Sequence, residues 1–209
     1  STSAPWITVN PVGYALTVLA DQPAGDWRLG DSGTETAADT SGHGLDAVLG
    51  GTRAQGIAAS MADGDAAMAF AADGYADVGS RWQLDPASGS FSLEAWVRFT
   101  NPTTGTVAGA AWDAYGYQLE LSGTRARFRA DSGQPLFLLE SSGPLNDGVW
   151  HHLVGVFDAG TSQALLYVDG VLGHTTPATG APVFGGSFII GAGNYAASGF
   201  VTAAIDEVA

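Results

Sequence analysis

Residues 91–100 read Phe-Ser-Leu-Glu-Ala-Trp-Val-Arg-Phe-Thr, and apolar side chains alternate along them with mostly polar ones. A β-strand places successive side chains on opposite faces of a sheet, whereas a helix repeats every 3.6 residues. One face of this stretch is uniformly apolar and consists of Phe91, Leu93, Ala95, Val97 and Phe99. The stretch therefore predicts a strand with one face in a hydrophobic core and the other directed outward.

Outward from this strand, the chain shows the same alternation in short segments separated by turn residues. Residues 117–121 and 126–130 predict one hairpin, and residues 164–168 and 171–174 predict another around Asp169-Gly170, a pair that suits a type I′ turn. Further strands are predicted at 67–70, 152–157, 187–190 and 203–208. No window sustains the apolar spacing of an amphipathic helix, and the alanine-rich residues 54–76 contain interrupting glycines. The pattern predicts two antiparallel sheets packed face to face.

The composition excludes several classes of function. The 209 residues include seven arginines but no lysine and no cysteine, and the formal net charge is −14. A phosphate-binding loop of the Walker A type, a Schiff-base lysine and a cysteine nucleophile are therefore excluded. The negative charge opposes nucleic-acid binding, and no apolar run is long enough to span a bilayer. We expect the protein neither to bind nucleic acid nor to insert into a membrane.

Several segments in order resemble a known family: 14–31, 38–44, 69–75, 91–99, 147–154, 166–170 and 205–208. They are similar to the laminin-G-like jelly roll of the concanavalin A-like lectin/glucanase superfamily, particularly its bacterial and phage members. The resemblance implies an all-β fold, a two-sheet antiparallel jelly-roll β-sandwich over residues 14–209, with residues 14–31 containing its opening strand. Residues 1–13 are expected to be an N-terminal linker or arm. The chain is also expected to be a piece of a larger extracellular or phage tail protein.

Catalytic carboxylates are the first feature to look for, because the superfamily includes glucanases. Its hydrolases carry paired carboxylates on one strand, in the pattern Glu-x-Asp. None of the five glutamates has an aspartate two residues later, and the sequence lacks the Gly-x-Ser-x-Gly motif of serine hydrolases. We therefore expect no enzymatic activity. The adjacent His151 and His152 are expected to be structural.

Calcium is the expected cofactor, because hard oxygen ligands are abundant and the chain is acidic. The candidate ligands are Asp39 and Gly42 in one turn, and Asp206 and Glu207 in the last strand. They would meet if the first and last strands are neighbours, as in the family. In the alternative interpretation, Asp39 makes an Asx-turn with its own backbone, and the two C-terminal acids are edge-strand charges.

Two segments combine aromatic rings with polar groups, as sugar-binding loops do. Trp112, Asp113 and Tyr115 lie in one expected loop, and Asn194 and Tyr195 lie in the other. The competing interpretation is that Trp112 covers a sheet edge.

Four arginines are predicted to form a stripe on one outer sheet face: Arg98, Arg125, Arg127 and Arg129. Such a stripe would either bind acidic sugars or pair with neighbouring carboxylates, here Glu94 and Glu120.

The sequence thus favours a non-catalytic carbohydrate-binding or adhesion module. Its expected partners are a glycan or cell-surface polysaccharide and other domains of a parent protein. Its expected location is extracellular, either secreted or at a cell surface, or in a virion tail. The alternative is a structural or protein-interaction module that binds no sugar.

Overall fold

About half of the described chain lies in two antiparallel β-sheets. The computed structural model describes residues 11–184, 186–193 and 198–209. The first strands are β1 (Thr36–Ala37), β2 (Ala47–Gly50), β3 (Arg53–Ala58), β4 (Ala66–Phe70), β5 (Tyr75–Gly79), β6 (Phe91–Arg98), β7 (Thr103–Trp112) and β8 (Tyr115–Gly123). They are followed by β9 (Arg125–Ser132), β10 (Pro135–Glu140), β11 (His151–Asp158), β12 (Gln163–Val168), β13 (Val171–Pro177), β14 (Phe188–Ile190) and β15 (Ala203–Asp206). Helix α1 (Pro11–Ala20) and a short 3₁₀ helix, Trp82–Leu84, complete the described elements.

The eight-stranded sheet has the order β1-β2-β5-β14-β7-β8-β9-β10, and the seven-stranded sheet has the order β13-β12-β11-β6-β15-β4-β3. Many neighbouring strands are distant in sequence. The last strand, β15, pairs with β4 on one side and β6 on the other. Sheets that cross over in this way and pack face to face confirm the predicted jelly-roll sandwich.

The core lies between the two sheets, where the inward-facing residues of the alternating strands meet. On β6, Leu93, Ala95 and Val97 are buried, as the alternation predicts. Phe128 of β9 projects from the other sheet and is fully buried. One strand of each sheet therefore contributes to the same core.

The predicted hairpin between β12 and β13 is confirmed. Asp169 and Gly170 both have positive φ angles, 52° and 75°, as a type I′ turn requires. Val168 and Val171 are paired across this turn. The local turn chemistry thus sets the register of the hairpin.

Helix α1 occupies residues where part of the opening strand was expected, so that expectation was wrong for residues 14–20. It begins at Pro11 and continues through Tyr14, so it crosses the boundary that we expected between residues 13 and 14. Proline suits the first turn of a helix, because the N–H that it lacks would have no helical partner there. The helix also packs through Tyr14, whose ring lies edge-on to Trp96 of β6 at a centroid distance of 6.2 Å. Tyr14 and Trp96 are 82 residues apart in the sequence, so no local pattern predicts their contact.

A second correction concerns Trp112 and Tyr115, which were expected in a loop. Trp112 ends β7 and Tyr115 begins β8, so only Asp113 and Ala114 form the turn between them. β7 pairs with β8 on one side and β14 on the other. These partners on both sides hold a strand in which about half of the residues are glycine or alanine, whose own strand propensity is low.

Candidate functional site

A groove of about 240 Å³ lies on the outer face of the eight-stranded sheet, where β7, β8 and β9 run side by side. Its floor is formed by outward-facing side chains of these strands. The lining residues of its floor are Thr104, Gly105, Thr106, Ala111, Gln118, Glu120, Arg129 and Asp131. Asp113, Gly193, Ser198 and Gly199 complete the lining at its rim.

The floor is held by a chain of side-chain hydrogen bonds. Thr106 Oγ1 donates to Gln118 Oε1 at 2.9 Å, and Gln118 Nε2 donates to Glu120 Oε2 at 2.9 Å. The first bond links β7 to β8, and the two together leave the Gln118 amide with one defined orientation. A ligand in the groove would therefore meet donors and acceptors that are already positioned.

The charged groups of the floor are paired. Arg129 donates through Nε and Nη2 to Asp131 Oδ2, at 2.9 Å and 2.6 Å. Arg127 Nε donates to Glu140 at 2.8 Å, and its Nη1 lies 3.8 Å from Glu120 Oε1. Burial raises the pKa of Glu120 above its ordinary value, although Arg129 and Arg127 act in the opposite direction. The groove thus combines polar groups with arginines that are paired to carboxylates.

The groove is lined by Asp113 of the first predicted ligand-binding segment and by described residues that flank the second. Asp113 comes from the β7–β8 turn, and Gly193 and Ser198 bracket the second segment, where Gly193 N donates to Ser198 O at 3.0 Å. Asn194 and Tyr195 lie outside the described residues.

The predicted aromatic residues lie beside the groove. Trp112 and Tyr115 flank the same turn as Asp113 and are 53% and 46% exposed. They stand next to the groove without lining it. Their part in ligand binding stays a prediction.

The arginine stripe is only partly as predicted. Arg98 belongs to β6 of the other sheet, where its guanidinium lies 4.8 Å from the ring centroid of Trp150. The β9 arginines pair with carboxylates, as one interpretation held, but the acids are Glu120, Asp131 and Glu140. Glu94 lies on the other sheet, where it accepts a hydrogen bond from Tyr14 Oη at 3.0 Å. The prediction was wrong for Arg98 and Glu94 because alternation assigns a face within a strand but not the sheet to which a strand belongs.

The expected calcium residues fall into two separate sets of contacts. Asp39 accepts backbone hydrogen bonds from Asp26, Ser41 and Leu45 at 2.9–3.1 Å, which is the Asx-turn arrangement. Burial favours the neutral form of Asp39, yet these hydrogen bonds hold its pKa below the ordinary value. Gly42 lies in the same turn with a φ of 90°.

Asp206 and Glu207 form the other set. Asp206 is 1% exposed; its Oδ2 accepts hydrogen bonds from Ser60 N and Oγ, both at 2.7 Å, while its Oδ1 is buried without a hydrogen-bond partner. Glu207 Oε1 accepts from Arg28 Nη2 at 2.8 Å, and the same guanidinium contacts Asp63 and Asp65. Burial raises the pKa of Asp206 to about 6 and that of Glu207 to about 7.

The fit to calcium is therefore partial. The orphaned Oδ1 of Asp206 has the chemistry of a hard-cation ligand, whereas the Asp39 carboxylate is already engaged by backbone amides. Among residues 11–184, 186–193 and 198–209, no three histidine or carboxylate side chains are arranged to hold a metal ion. A calcium shell here would need backbone carbonyls. Calcium stays a prediction.

The two histidines have structural surroundings. His151 Nδ1 lies 2.8 Å from Asp169 Oδ2, and its Nε2 lies 3.2 Å from Asp147 Oδ1. His152 stacks on Trp96 at a centroid distance of 4.9 Å on the other face. The strand alternation predicts this division between the two faces.

A second concavity, of about 470 Å³, was not anticipated from the sequence. Its lining combines core aromatics with polar rim residues and includes Trp27, Gln83, Ser92, Phe91 and Tyr117. These residues come from four separate parts of the chain, and none of them forms a local motif. The groove floor on β8 and β9 was also missed as a site, although the polar alternation of those strands marks its residues as outward-facing.

Family membership follows from the sequence. A laminin G model described as "Concanavalin A-like lectin/glucanases superfamily" matches residues 70–209, which is about two thirds of the chain. The chain belongs to the concanavalin A-like lectin/glucanase superfamily. This agrees with the resemblance and with the two-sheet fold. No curated protein matches the chain.

Solved structures with similar folds include the binding domains of botulinum neurotoxins. The binding domain of botulinum neurotoxin DC in complex with "SialylT" superposes with a TM-score of 0.69 and 13% identity, covering 91% of this chain and 48% of that chain. The same binding domain in complex with rat synaptotagmin II gives 0.66 and 13%, covering 90% and 48%. The serotype D binding domain gives 0.66 and 10%, covering 88% and 46%.

These similarities establish the fold alone. This superfamily member spans about half the length of the neurotoxin chains that it matches. Within the described part of the chain, no helix has both the length and the apolar character needed to cross a membrane.

Proposed function

We propose that the chain is a non-catalytic glycan-binding module and that the groove on β7, β8 and β9 is its binding site. The observation that carries this proposal is the preorganised polar floor, in which Thr106, Gln118 and Glu120 are already hydrogen-bonded to one another. Trp112 and Tyr115 stand exposed at the adjacent turn. Sugars are bound by such fixed polar groups together with aromatic rings that stack on their apolar faces.

The groove chemistry supports binding rather than hydrolysis. A glycosidase places two carboxyl groups on either side of the scissile bond, one as acid and the other as base or nucleophile. Here Asp131 is held by Arg129, and Glu120 lies beside Arg127 and accepts from Gln118. Asp131 and Glu120 are thus not arranged as an acid and a nucleophile on either side of a bond. We therefore propose no enzymatic activity.

The setting that we propose is a larger extracellular protein or a phage tail protein, in which this domain is one module. Similar folds occur as the binding domain of a neurotoxin, in complexes with "SialylT" in one case and with rat synaptotagmin II in another. Those partners belong to that protein. They support a module that binds a glycan or a protein.

The alternative function is protein interaction without sugar binding. Trp82, in the short 3₁₀ helix, is 82% exposed. Large exposed aromatic residues are common at the centres of protein interfaces. This observation favours the alternative only if the folded protein binds no glycan.

A calcium ion near Asp206 is a separate proposal. It rests on the orphaned, buried Oδ1 of Asp206, because a buried carboxylate oxygen without a partner is unfavourable. Bound calcium would supply positive charge there, and Asp206 would be its protein side-chain ligand.

A glycan array with the folded protein tests the main proposal. The Gln118→Ala variant removes the central amide of the groove floor, so we expect it to abolish the array signal. The matched control is Gln83→Ala, which alters the second concavity by the same chemical change. Loss of binding in Gln83→Ala with retention in Gln118→Ala would place the glycan in the second concavity. Absence of any glycan signal would support the protein-interaction alternative.

A further inference from the structure

We infer that the groove accepts uncharged sugars and rejects acidic ones, because the arginines beside it are already neutralised by the protein's own carboxylates. The inference rests on the proposed function, since it names the class of glycan that the groove binds. Of the two interpretations of the β9 arginines, it favours the one in which they pair with neighbouring carboxylates over the one in which they bind acidic sugars.

The sequence supplies few cationic side chains, namely seven arginines and no lysine. Three are on β9 and have carboxylate partners: Arg125 with Glu140, Arg127 with Glu140 and Glu120, and Arg129 with Asp131. The other four contact groups elsewhere, namely Arg28 with Glu207, Arg53 with Glu35, Arg81 with the Val78 carbonyl and Arg98 with Trp150.

The charged groups of the groove are mostly acidic. Its lining contains three acids, Asp113, Glu120 and Asp131, and one base, Arg129. None of the described lining residues is a histidine. An added sugar carboxylate would therefore enter a site where negative groups already outnumber positive ones. Like charges placed close together oppose binding strongly.

An acidic sugar that binds Arg129 would have to displace a carboxylate of the protein itself. To bind Arg129, its carboxylate would compete with Asp131 for the same Nε and Nη2 donors. Asp131 is only 8% exposed, so losing its partner would leave a nearly buried charge uncompensated. The pair is partly buried, with the Arg129 side chain 36% and the Asp131 side chain 12% exposed, so breaking it costs more than breaking a fully exposed pair.

A neutral sugar meets no such obstacle. Its hydroxyl groups both donate and accept hydrogen bonds, so they are suited to carboxylate oxygens and to the remaining amide hydrogen of Gln118. The ion pair of Arg129 with Asp131 can stay intact while its outer lone pairs accept from the ligand. The paired charges then strengthen hydrogen bonds without creating a net attraction for anions.

The direct test is NMR of the arginine Nε–Hε groups during titration with sodium glucuronate and with glucose, a matched acidic and neutral pair. In the wild type, we expect glucuronate to cause no saturable shift of the Arg129 signal. In Asp131→Asn, which frees Arg129, we expect a saturable shift with glucuronate. Glu35→Gln is the control, because it makes the same charge change at an exposed pair with Arg53.

A saturable glucuronate shift in the wild type would overturn the inference, and so would its absence in a folded Asp131→Asn variant. The wild-type titration does not require the Asp131→Asn variant, so it can overturn the inference even if that variant does not fold.

A glycan array with matched neutral and uronic-acid termini separates this inference from the proposed function. We expect the acidic partner of each pair to bind at least about tenfold more weakly. Preferential binding of acidic glycans would overturn the inference and leave the proposed function standing. If no glycan binds, the proposed function fails, and the arginine titration alone decides whether the groove rejects acidic groups.

Discussion

Trp112 was predicted to contact a ligand from a loop, but its neighbours in the structure could not be predicted from the sequence. The sequence places it beside polar residues, and the structure shows it exposed at the turn that contributes Asp113 to the groove. Its surroundings depend on where β7 ends, which the sequence did not indicate. Its proposed role is to provide a stacking surface for the ligand.

We predict that Trp112→Ala weakens glycan binding by about fivefold, equivalent to about 1 kcal/mol of aromatic contact, without unfolding the domain. The ring is 53% exposed, so its removal leaves no core cavity. Titration calorimetry and thermal unfolding would measure the two effects. Trp82→Ala is the control, and equal loss of affinity in both variants would contradict a specific role for Trp112.

His151 provides a prediction of pH dependence. Hydrogen bonding to Asp169 raises the pKa of His151 above its ordinary value, despite the opposing effect of burial. A raised pKa in the folded state stabilises the fold fully below the unfolded pKa of about 6.5, and this contribution disappears as the pH rises through the folded value. We therefore expect unfolding free energy to fall above pH 6.5.

The expected change is below about 1 kcal/mol, because the partner carboxylates are partly exposed. Urea unfolding across this pH range should show the decline in the wild type and a flatter profile in His151→Gln. His43→Gln serves as a control, since His43 contacts the hydroxyl of Ser41. A wild-type profile identical to that of His151→Gln would show that the ion pairs contribute nothing.

At the scale of elements, the predictable strands were those with regular alternation and local turns. β6 and the β12–β13 hairpin are examples, because the period of two and the Asp169-Gly170 turn are both written in the local sequence. β7 and β10 were missed, and each contains a register shift, between Thr106 and Ala108 and between Pro135 and Phe137. The β12–β13 pair also contains a register shift, between Leu166 and Tyr167, but its Asp169-Gly170 turn marks the hairpin locally. A bulge inserts an extra residue and interrupts the alternation.

Helix α1 was missed for a different reason. Its sequence has no clear polar face, and it is positioned by Tyr14, which contacts Glu94 and His152 far along the chain. The groove also depends on contacts between distant parts of the chain, since it joins β7, β8 and β9 with Gly193, Ser198 and Gly199. Local sequence reports which side chains face outward, but only strand order shows which of them meet.

The β12–β13 turn gives a prediction at this scale. Gly170→Ala should destabilise the domain by about 1 kcal/mol or more, because an alanine is strained at the positive φ of 75°. Gly143→Ala is the control, since a Cβ there would meet no atom within 4 Å and its φ is not in the left-handed region. Urea midpoints that shift equally in both variants would contradict this account of the turn.

At the scale of the whole molecule, the negative charge and the orphaned Asp206 oxygen make cation binding worth testing. We predict that millimolar calcium after EDTA treatment raises the thermal midpoint of the wild type. Ligand at 100 times its dissociation constant stabilises a folded state by about 2.7 kcal/mol. Asp206→Asn should lose the calcium-dependent increase, whereas an unchanged wild-type midpoint would reject calcium binding near Asp206.

The central claim is that the molecule binds a glycan on the outer face of its eight-stranded sheet. The most direct measurement is amide NMR shift mapping of the isotope-labelled domain with the glycan that gives the strongest array signal. The account predicts that the largest shifts occur at Gly105, Gln118 and Gly199, around the groove. Shifts centred instead on Ser90 and Ser92, in the second concavity, would contradict it.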